Sequence, residues 1–120
     1  MKTLERPTEL KAAGFPPKII QEFIGNANSE NKEISIARMK SPKGWSEPGQ
    51  TPEFKEYTIV LKGTLVVETK ENKKEIKENQ AIIIEKGEWV KYSTPYEGGA
   101  EYMAICRPAF SIGLVHRDKG

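Results

Sequence analysis

The sequence predicts an all-β protein of one domain, and three observations support this prediction. Runs rich in β-branched and aromatic residues recur along the chain with alternating apolar and polar positions, as in Glu33–Lys40 and Trp89–Thr94. Glycine and proline separate these runs at regular intervals. No segment repeats apolar residues with the period of a helix. Short strands with regular turns are typical of a β-sandwich or a small barrel.

The N-terminal part of the chain is the least regular. Residues 1–17 are polar and end in Gly14-Phe15-Pro16-Pro17, so we expect an arm that packs along the surface or against a partner subunit. Lys18–Ile24 has two interpretations. Pro17 could stand in the first turn of a short helix, whereas Ile20, Glu22 and Ile24 alternate as in a strand.

Six to eight short strands are expected in all, and most of them follow Glu33. The two runs in the middle of the chain are joined through Lys62-Gly63, which predicts a tight hairpin corner, and the charged run Lys70–Glu75 predicts a solvated turn. The apolar run Gln80–Glu85 is too short for a helix and predicts a buried strand. The remaining strands are predicted at Glu33–Lys40, Glu53–Leu61, Thr64–Thr69, Trp89–Thr94 and Glu101–Arg107. We divide the chain into an arm with the first strand or short helix (1–32), a barrel (33–110) and an irregular tail (111–120).

Composition argues against several classes of partner. The 120 residues carry a formal net charge of +2, and basic residues are dispersed among acidic ones, which favours neither nucleic acid nor a membrane surface. The single cysteine, Cys106, cannot form an intramolecular disulfide and suits a reducing compartment. The first residues lack the apolar core of a signal peptide. These observations predict a cytoplasmic protein.

The stretch Gly44–Gly63 carries a family resemblance. It resembles the first signature of the cupin family: glycine, five residues, His-x-His, three or four residues, Glu, six residues, Gly. The residues at those intervals are Gly44, Gln50, Pro52, Glu56 and Gly63. After 15 intervening residues, the second signature (glycine, Pro-x-Gly, His, Asn) is matched in spacing by Asn79, Glu85, Gly87, Val90 and Thr94. The resemblance covers roughly Gly44 to Cys106 and implies a single-domain cupin jelly roll.

The metal-binding residues of the family are largely replaced. Metal-binding cupins hold their ion with the two histidines and the glutamate of the first signature and the histidine of the second. The matching positions here are Gln50, Pro52, Glu56 and Val90, and the only histidine, His116, lies in the tail. Three of four ligands are therefore missing, and we expect no metal and no cofactor. An open alternative is a hard cation held by carboxylates, for which the candidates are Glu47, Glu53, Glu56 and Glu101.

The interior of the barrel is the candidate ligand site. If the family register holds, strand alternation places one set of residues on the inner face: Gln50, Glu56, Thr58, Val60, Val90, Tyr92 and Thr94. Their mixture of apolar walls and polar groups is typical of a small-molecule pocket. Without a metal, an inward Glu56 would be desolvated, which raises its pKa, unless Gln50, Tyr92 or the backbone satisfies it. Trp45 and Glu47 lie in the loop before the strand and could contact a planar ligand, although an indole that only closes the barrel is commoner. Cys106 is expected to be a buried, inert thiol.

Two functional hypotheses follow. The first is a metal-free binding module, non-catalytic or regulatory, that holds a small polar metabolite (sugar-like or carboxylate-containing) with Gln50, Glu56, Thr58, Val90, Tyr92, Trp45 and Glu47. The second is a metal-independent isomerase, cyclase or lyase with Glu56 as general base and Tyr92 as acid. The resemblance also implies a homodimer that pairs through N-terminal strands, since small barrels leave edge strands that need cover.

Overall fold

The computed structural model describes residues 1–119 and confirms the all-β prediction. In chain order, the strands are β1 (Thr8–Leu10), β2 (Ile19–Ile24), β3 (Ser35–Ser41), β4 (Trp45–Ser46), β5 (Lys55–Thr69), β6 (Lys73–Lys77), β7 (Ala81–Ile84), β8 (Val90–Thr94) and β9 (Ala100–Arg107). The helix in these residues is the single short turn α1 (Ile112–Val115), and no helix there is long and apolar enough to cross a membrane.

The strands form one antiparallel sheet that curls on itself. Its order is β1-β2-β3-β9-β5-β8-β4, and β6 and β7 also pair with β5. The first half of β5 pairs with β9 and β7, whereas its second half, from Thr64 on, pairs with β6 and β8. Because one long strand takes part in both halves of the sheet, the two layers face each other across a common interior.

The predicted hairpin corner at Lys62-Gly63 is wrong, because β5 runs through it without reversing. The strand bends there instead: the register with β9 shifts between Val60 and Lys62, and Gly63 has a φ of 76°. A Cβ atom on Gly63 would lie 2.1 Å from the carbonyl oxygen of Gly99. Gly63 is therefore a glycine because the backbone of β5 bends and approaches Gly99 closely. Glycine is also common in turns, which is why the sequence suggested a hairpin here.

Both ends of the chain are more ordered than the sequence suggests. Lys18–Ile24 resolves as a strand, and the arm before it contains β1, which pairs with β2. The tail is not irregular throughout: it forms α1 and then runs beside residues 49–53, where its carbonyls accept hydrogen bonds from Thr51 and Glu53. The two termini thus cover the interior of the barrel.

The largest buried cluster fills one end of the barrel. It comprises Trp45, Val60, Leu65, Val67, Ile76, Ile84, Val90, Tyr92, Ala100 and Tyr102. A smaller cluster of Phe54, Cys106 and Val115 holds the tail against the other end. The run Gln80–Glu85 is less buried than predicted, since Ile84 points inward while Ile83 is 54% exposed. The polar cavity described next lies between these clusters.

Candidate ligand site

The inner faces of β2, β3, β5, β8 and β9 surround a cavity that the arm and the tail close further. The cavity holds about 730 Å³ of space outside the atoms, part of it open to solvent, which leaves room for a small ligand. Its polar and titratable lining consists of Lys11, Lys18, Glu22, Ser35, Glu47, Gln50, Glu56, Thr58, Tyr92, Tyr102, Cys106 and Arg117.

The structure brings five of the seven predicted ligand-binding residues into this lining. They are Glu47, Gln50, Glu56, Thr58 and Tyr92. Val90 is fully buried in the apolar cluster and does not line the cavity. Trp45 is fully buried as well: its Nε1 donates to the carbonyl of Ala13 at 3.2 Å. Val90 and Trp45 thus form the wall behind the cavity lining.

Glu56 lies in the cavity lining, and both of its carboxylate oxygens have contacts. The Tyr92 hydroxyl donates to Oε1 at 2.6 Å, and the Cys106 thiol approaches Oε2 at 3.5 Å. Burial raises the pKa of Glu56, although the hydrogen bonds from Tyr92 and Cys106 oppose this shift. Burial and the adjacent carboxyl also raise the pKa of Tyr92 and of the Cys106 thiol, so both groups remain protonated donors.

Glu47 is a second buried carboxyl in the same cavity, 7% exposed. It follows β4, whose residue Ser46 is paired to Phe15 of the arm. Burial raises the pKa of Glu47 to about 6, while the positive charges of Lys18 and Arg117 act in the opposite direction. A carboxyl with this pKa can hold or release a proton near neutral pH.

Lys18 brings an amine into the cavity directly before β2 begins. Its Nζ lies 3.3 Å from the Tyr102 hydroxyl, 3.3 Å from the Met39 sulfur and 4.0 Å from the centre of the Trp45 ring. Burial lowers the pKa of this amine, and the carboxylates of Glu47 and Glu56 oppose the shift. An amine placed among apolar and aromatic groups is more reactive than a surface lysine.

Arg117 and Gln50 each have a buried polar atom with no hydrogen-bond partner within residues 1–119. These atoms are Arg117 Nε, a donor, and Gln50 Oε1, an acceptor. The backbone holds both residues in place, because Gln50 is bridged to Val90 on one side and to Arg117 on the other. An unsatisfied buried donor or acceptor destabilises a protein by about 1–3 kcal/mol, and both residues line the cavity, so a polar ligand bound there is a candidate partner for these atoms.

The residues at the four family metal positions do not fit a transition metal. Pro52 and Val90 have no donor atom in their side chains, and both are buried in the protein. Glu56 already accepts from Tyr92 and Cys106. An ion of this kind needs several nitrogen, sulfur or oxygen ligands, which these positions do not supply.

The four carboxylates considered for a hard cation do not converge. Glu47 and Glu56 share the cavity, but Glu53 bonds to His116 at the surface. Glu101 forms ion pairs with Arg38 at 3.1 Å and with Lys40 at 3.6 Å. No group of three or more histidine, cysteine, aspartate or glutamate residues among residues 1–119 is arranged to hold a metal ion. The hypothesis of a four-carboxylate cluster was wrong.

Sequence reasoning missed Lys18 and Arg117, two of the cations of the site. Both lie outside the stretch that resembles the family signatures, at opposite ends of the chain. Lys18 directly follows two prolines. The one sequence feature that could have identified it as a site residue is its charge next to a run of alternating apolar and polar residues. Arg117 lies in a segment without any pattern. Only the folded arrangement of arm and tail brings them together.

Comparison with known proteins gives the fold. No protein-family model matches the chain. The polyketide cyclase RemF from Streptomyces resistomycificus superposes with a TM-score of 0.78 at 14% identity, over 100% of this chain and 87% of that one. A predicted oxalate decarboxylase from Thermotoga maritima gives 0.73 at 19% identity, over 88% and 96%. The EutQ protein of Clostridium difficile gives 0.65 at 19%, over 78% and 64%. These are cupin-fold proteins, so the chain has the predicted cupin jelly-roll fold.

One curated protein is similar in sequence. Endoribonuclease YbeY of Myxococcus xanthus strain DK1622 is 38% identical over 101 residues, which are 84% of this chain and 34% of that protein. The chain therefore spans about a third of the length of this relative.

Proposed function

We propose that the chain is a metal-free cupin-barrel protein that binds a small polar metabolite, sugar-like or carboxylate-containing, in a non-catalytic or regulatory role. The observation that carries this proposal is that two residues of the cavity lining, Gln50 and Arg117, each have an unsatisfied buried polar atom, Oε1 and Nε respectively. Gln50 Oε1 is a hydrogen-bond acceptor and Arg117 Nε is a donor, so a ligand that satisfies both must offer one donor and one acceptor. A hydroxy acid or a sugar has both groups.

The match to the endoribonuclease supports the regulatory part of this proposal. We infer that the matched third of that protein is a cupin-like unit joined to further sequence. A binding domain joined to an enzyme is suited to regulation by a metabolite. Ribonuclease activity is not assigned to this chain, because two thirds of that protein lie outside the match.

A ligand screen on two variants tests the binding proposal. Thermal shifts with small hydroxy acids, oxo acids and monosaccharides are measured for the wild type, Gln50→Leu and Gln21→Leu. We expect a compound that stabilises the wild type to bind Gln50→Leu at least about tenfold more weakly, a loss of about 1.4 kcal/mol. Gln21→Leu is the matched control, since Gln21 lies on β2 outside the cavity. Equal binding by both variants, or no binding compound at all, contradicts the proposal.

The second candidate is a metal-independent isomerase, cyclase or lyase. The observation that favours it is the buried pair Tyr92–Glu56, in which a phenol donates to a carboxyl of raised pKa at 2.6 Å. Glu56 is the proposed general base and Tyr92 the acid. The likeness to a polyketide cyclase supports the fold of this candidate alone, since only 14% of residues are identical.

Glu56→Gln separates the two candidates. If Glu56 is a base, the variant loses turnover but keeps its fold and binds ligand within about tenfold of the wild-type Kd. If Glu56 is only a hydrogen-bond partner, the main change is in the free energy of unfolding. Tyr57→Phe is a control on the neighbouring, outward-facing position of β5.

We also propose a homodimer. Pairing through the N-terminal strands is one mode, since β1 is the edge strand of the sheet, and a second surface is also suited to it. The outer face of β3, β9, β5 and β7 carries two apolar rows across the strands. One row is Ile36–Ile105–Tyr57–Ile83, and the other is Met103–Ile59–Ala81. Ile59 is 43% and Ile83 is 54% exposed. An apolar face of this kind is suited to pairing with a second copy around a two-fold axis.

A further inference from the structure

Lys18 is a partly buried amine of the cavity lining that could form a covalent bond with a carbonyl compound at moderate pH. Its amine lies beside Tyr102, Met39 and Trp45, while part of the residue remains exposed. Three neutral groups thus surround the nitrogen. Arg117, whose Nε is an unsatisfied donor, lines the same cavity as Lys18.

The amine has no direct counter-ion. Within residues 1–119, no carboxylate oxygen lies within 4.0 Å of Lys18 Nζ, although Glu47 and Glu56 line the same cavity. Contact with the face of Trp45 favours the ammonium form. Burial and the charge of Arg117 favour the neutral amine, and the balance lowers the pKa of Lys18. More neutral amine is therefore present near pH 7 than on a surface lysine, and the neutral amine is the nucleophile.

We propose that Lys18 captures an oxo acid as a reversible imine, with the ligand carboxylate at Arg117. This inference rests on the cavity being a ligand site and names the ligand class. The carboxylate would accept from Arg117 Nε, and a hydroxyl on the carbon next to the imine would donate to Gln50 Oε1. The imine is a mode of binding and does not require turnover.

The chemistry balances with groups of this cavity. The Lys18 nitrogen lone pair attacks the carbonyl carbon, the π electrons move to oxygen, and a proton passes from nitrogen to that oxygen to give a carbinolamine. Glu47, protonated in part because burial raises its pKa to about 6, then gives a proton to the departing hydroxyl, which leaves as water. The nitrogen lone pair forms the C=N bond, leaving an iminium beside the Glu47 carboxylate. Hydrolysis reverses these steps, and no oxidant or reductant is involved.

Reductive trapping tests the proposal on the wild-type chain. The protein is incubated with glyoxylate and cyanoborohydride near neutral pH, and peptide mass spectrometry locates the carboxymethyl groups. We expect Lys18 to be modified at least roughly tenfold faster than exposed lysines such as Lys11 and Lys40, since a desolvated amine is the stronger nucleophile at this pH. Labelling of Lys18 at or below the rate of the exposed lysines overturns the proposal. This comparison is made within one folded protein and needs no variant.

Variants and a matched ligand pair separate this proposal from the binding proposal. Lys18→Arg keeps the charge and removes the capture, whereas Lys40→Arg, at an exposed lysine outside the cavity lining, leaves it unchanged. Glyoxylate is compared with glycolate, which has a hydroxyl in place of the carbonyl. If both acids stabilise the protein equally and Lys18 is not trapped selectively, the result supports the ligand site and contradicts the proposal that Lys18 forms an imine. If neither acid stabilises it and no selective trapping occurs, both proposals fail for acids of this size.

Discussion

At the scale of single residues, Glu56 shows how a carboxyl is retained in the buried interior of the barrel. It is 8% exposed, and each of its oxygens faces a donor that burial keeps protonated. A buried carboxylate is destabilising unless it is hydrogen-bonded, and these two contacts reduce that penalty. The Tyr92 contact is one of the partners that the sequence suggested for Glu56. Such a group can serve binding or proton transfer only if the two donors hold it in place.

Removing the Tyr92 hydroxyl should destabilise the protein. In Tyr92→Phe, Glu56 Oε1 loses its donor at 2.6 Å, and a buried acceptor left unsatisfied lowers the free energy of unfolding by about 1–3 kcal/mol. Urea unfolding measures this change, and a double-mutant cycle with Glu56→Gln isolates the pair. Tyr96→Phe is the control, since Tyr96 is exposed. If the double-mutant cycle gives no coupling energy, the hydrogen bond between Tyr92 and Glu56 does not contribute to the free energy of unfolding, and this prediction is wrong.

Glu47 should make stability depend on pH. Its pKa is raised from 4.5 to about 6 by burial, so its contribution to stability is fully present below about pH 4.5 and is lost as the pH rises through about 6. The stability of the wild type relative to Glu47→Gln should therefore fall by about 2 kcal/mol between about pH 4 and about pH 7. Urea unfolding of both proteins across this range measures the difference.

The same series on Glu53→Gln is the control for Glu47, because Glu53 lies at the surface. A difference between wild type and Glu47→Gln that stays constant or grows with pH would mean that Lys18 and Arg117 outweigh burial at this carboxyl.

At the scale of the element, the course of β5 depends on its partners. Its two halves have the composition of separate strands, and Gly63 between them resembles a turn residue. A hairpin would require the halves to pair with each other, but they pair with different strands on the two sides of the bend. At this bend, the backbone of Gly63 lies close to Gly99, in the loop that also contains Gly98.

Two adjacent glycines in that loop provide a matched test. Both have a positive φ, 82° at Gly98 and 59° at Gly99, which costs an L-residue about 1–2 kcal/mol. A Cβ on Gly99 would also lie 1.9 Å from the carbonyl oxygen of Ser41, whereas one on Gly98 would meet nothing within 4 Å. We expect Gly99→Ala to destabilise the protein by about 1–3 kcal/mol more than Gly98→Ala. Equal thermal stabilities of the two variants would show that this loop moves without penalty.

At the scale of the whole molecule, the barrel has a polar interior and an apolar outer face. The outer rows on β3, β9, β5 and β7 lie on the other side of the strands that carry Glu56 and Thr58. One strand can therefore serve a ligand on one face and a second subunit on the other. The proposed dimer is separate from the ligand site, so the two proposals can be tested independently.

Charged substitutions on the outer face should prevent dimerisation. We expect Ile59→Lys, alone and with Ile83→Lys, to shift the protein from dimer to monomer in light scattering after size exclusion, because each buries an unpaired charge in the interface. Ile112→Lys is the control: Ile112 is 82% exposed on α1, away from these rows. A wild type that is monomeric, or a dimer that survives both substitutions, contradicts this interface.

By itself, the sequence determined the all-β class and most strand positions. The seven residues that the family register places on the inner face, from Gln50 to Thr94, are all buried, although Val60, Val90 and Thr94 do not line the cavity. These predictions succeed because alternation and turn residues are local properties: a strand with one buried face shows its period in the chain itself.

Three further features were visible only in the tertiary structure. β5 runs on through Gly63, both termini cover the barrel, and Lys18 and Arg117 line one cavity. Each depends on contacts between segments far apart in the chain, such as the bridge from Gln50 to Arg117. No local pattern encodes them, because they follow from which strands pair and from where the sheet closes. The polar residues that the strands contribute to the cavity could thus be predicted from the sequence. The positive charges of Lys18 and Arg117 depend on how the two ends of the chain pack over the strands.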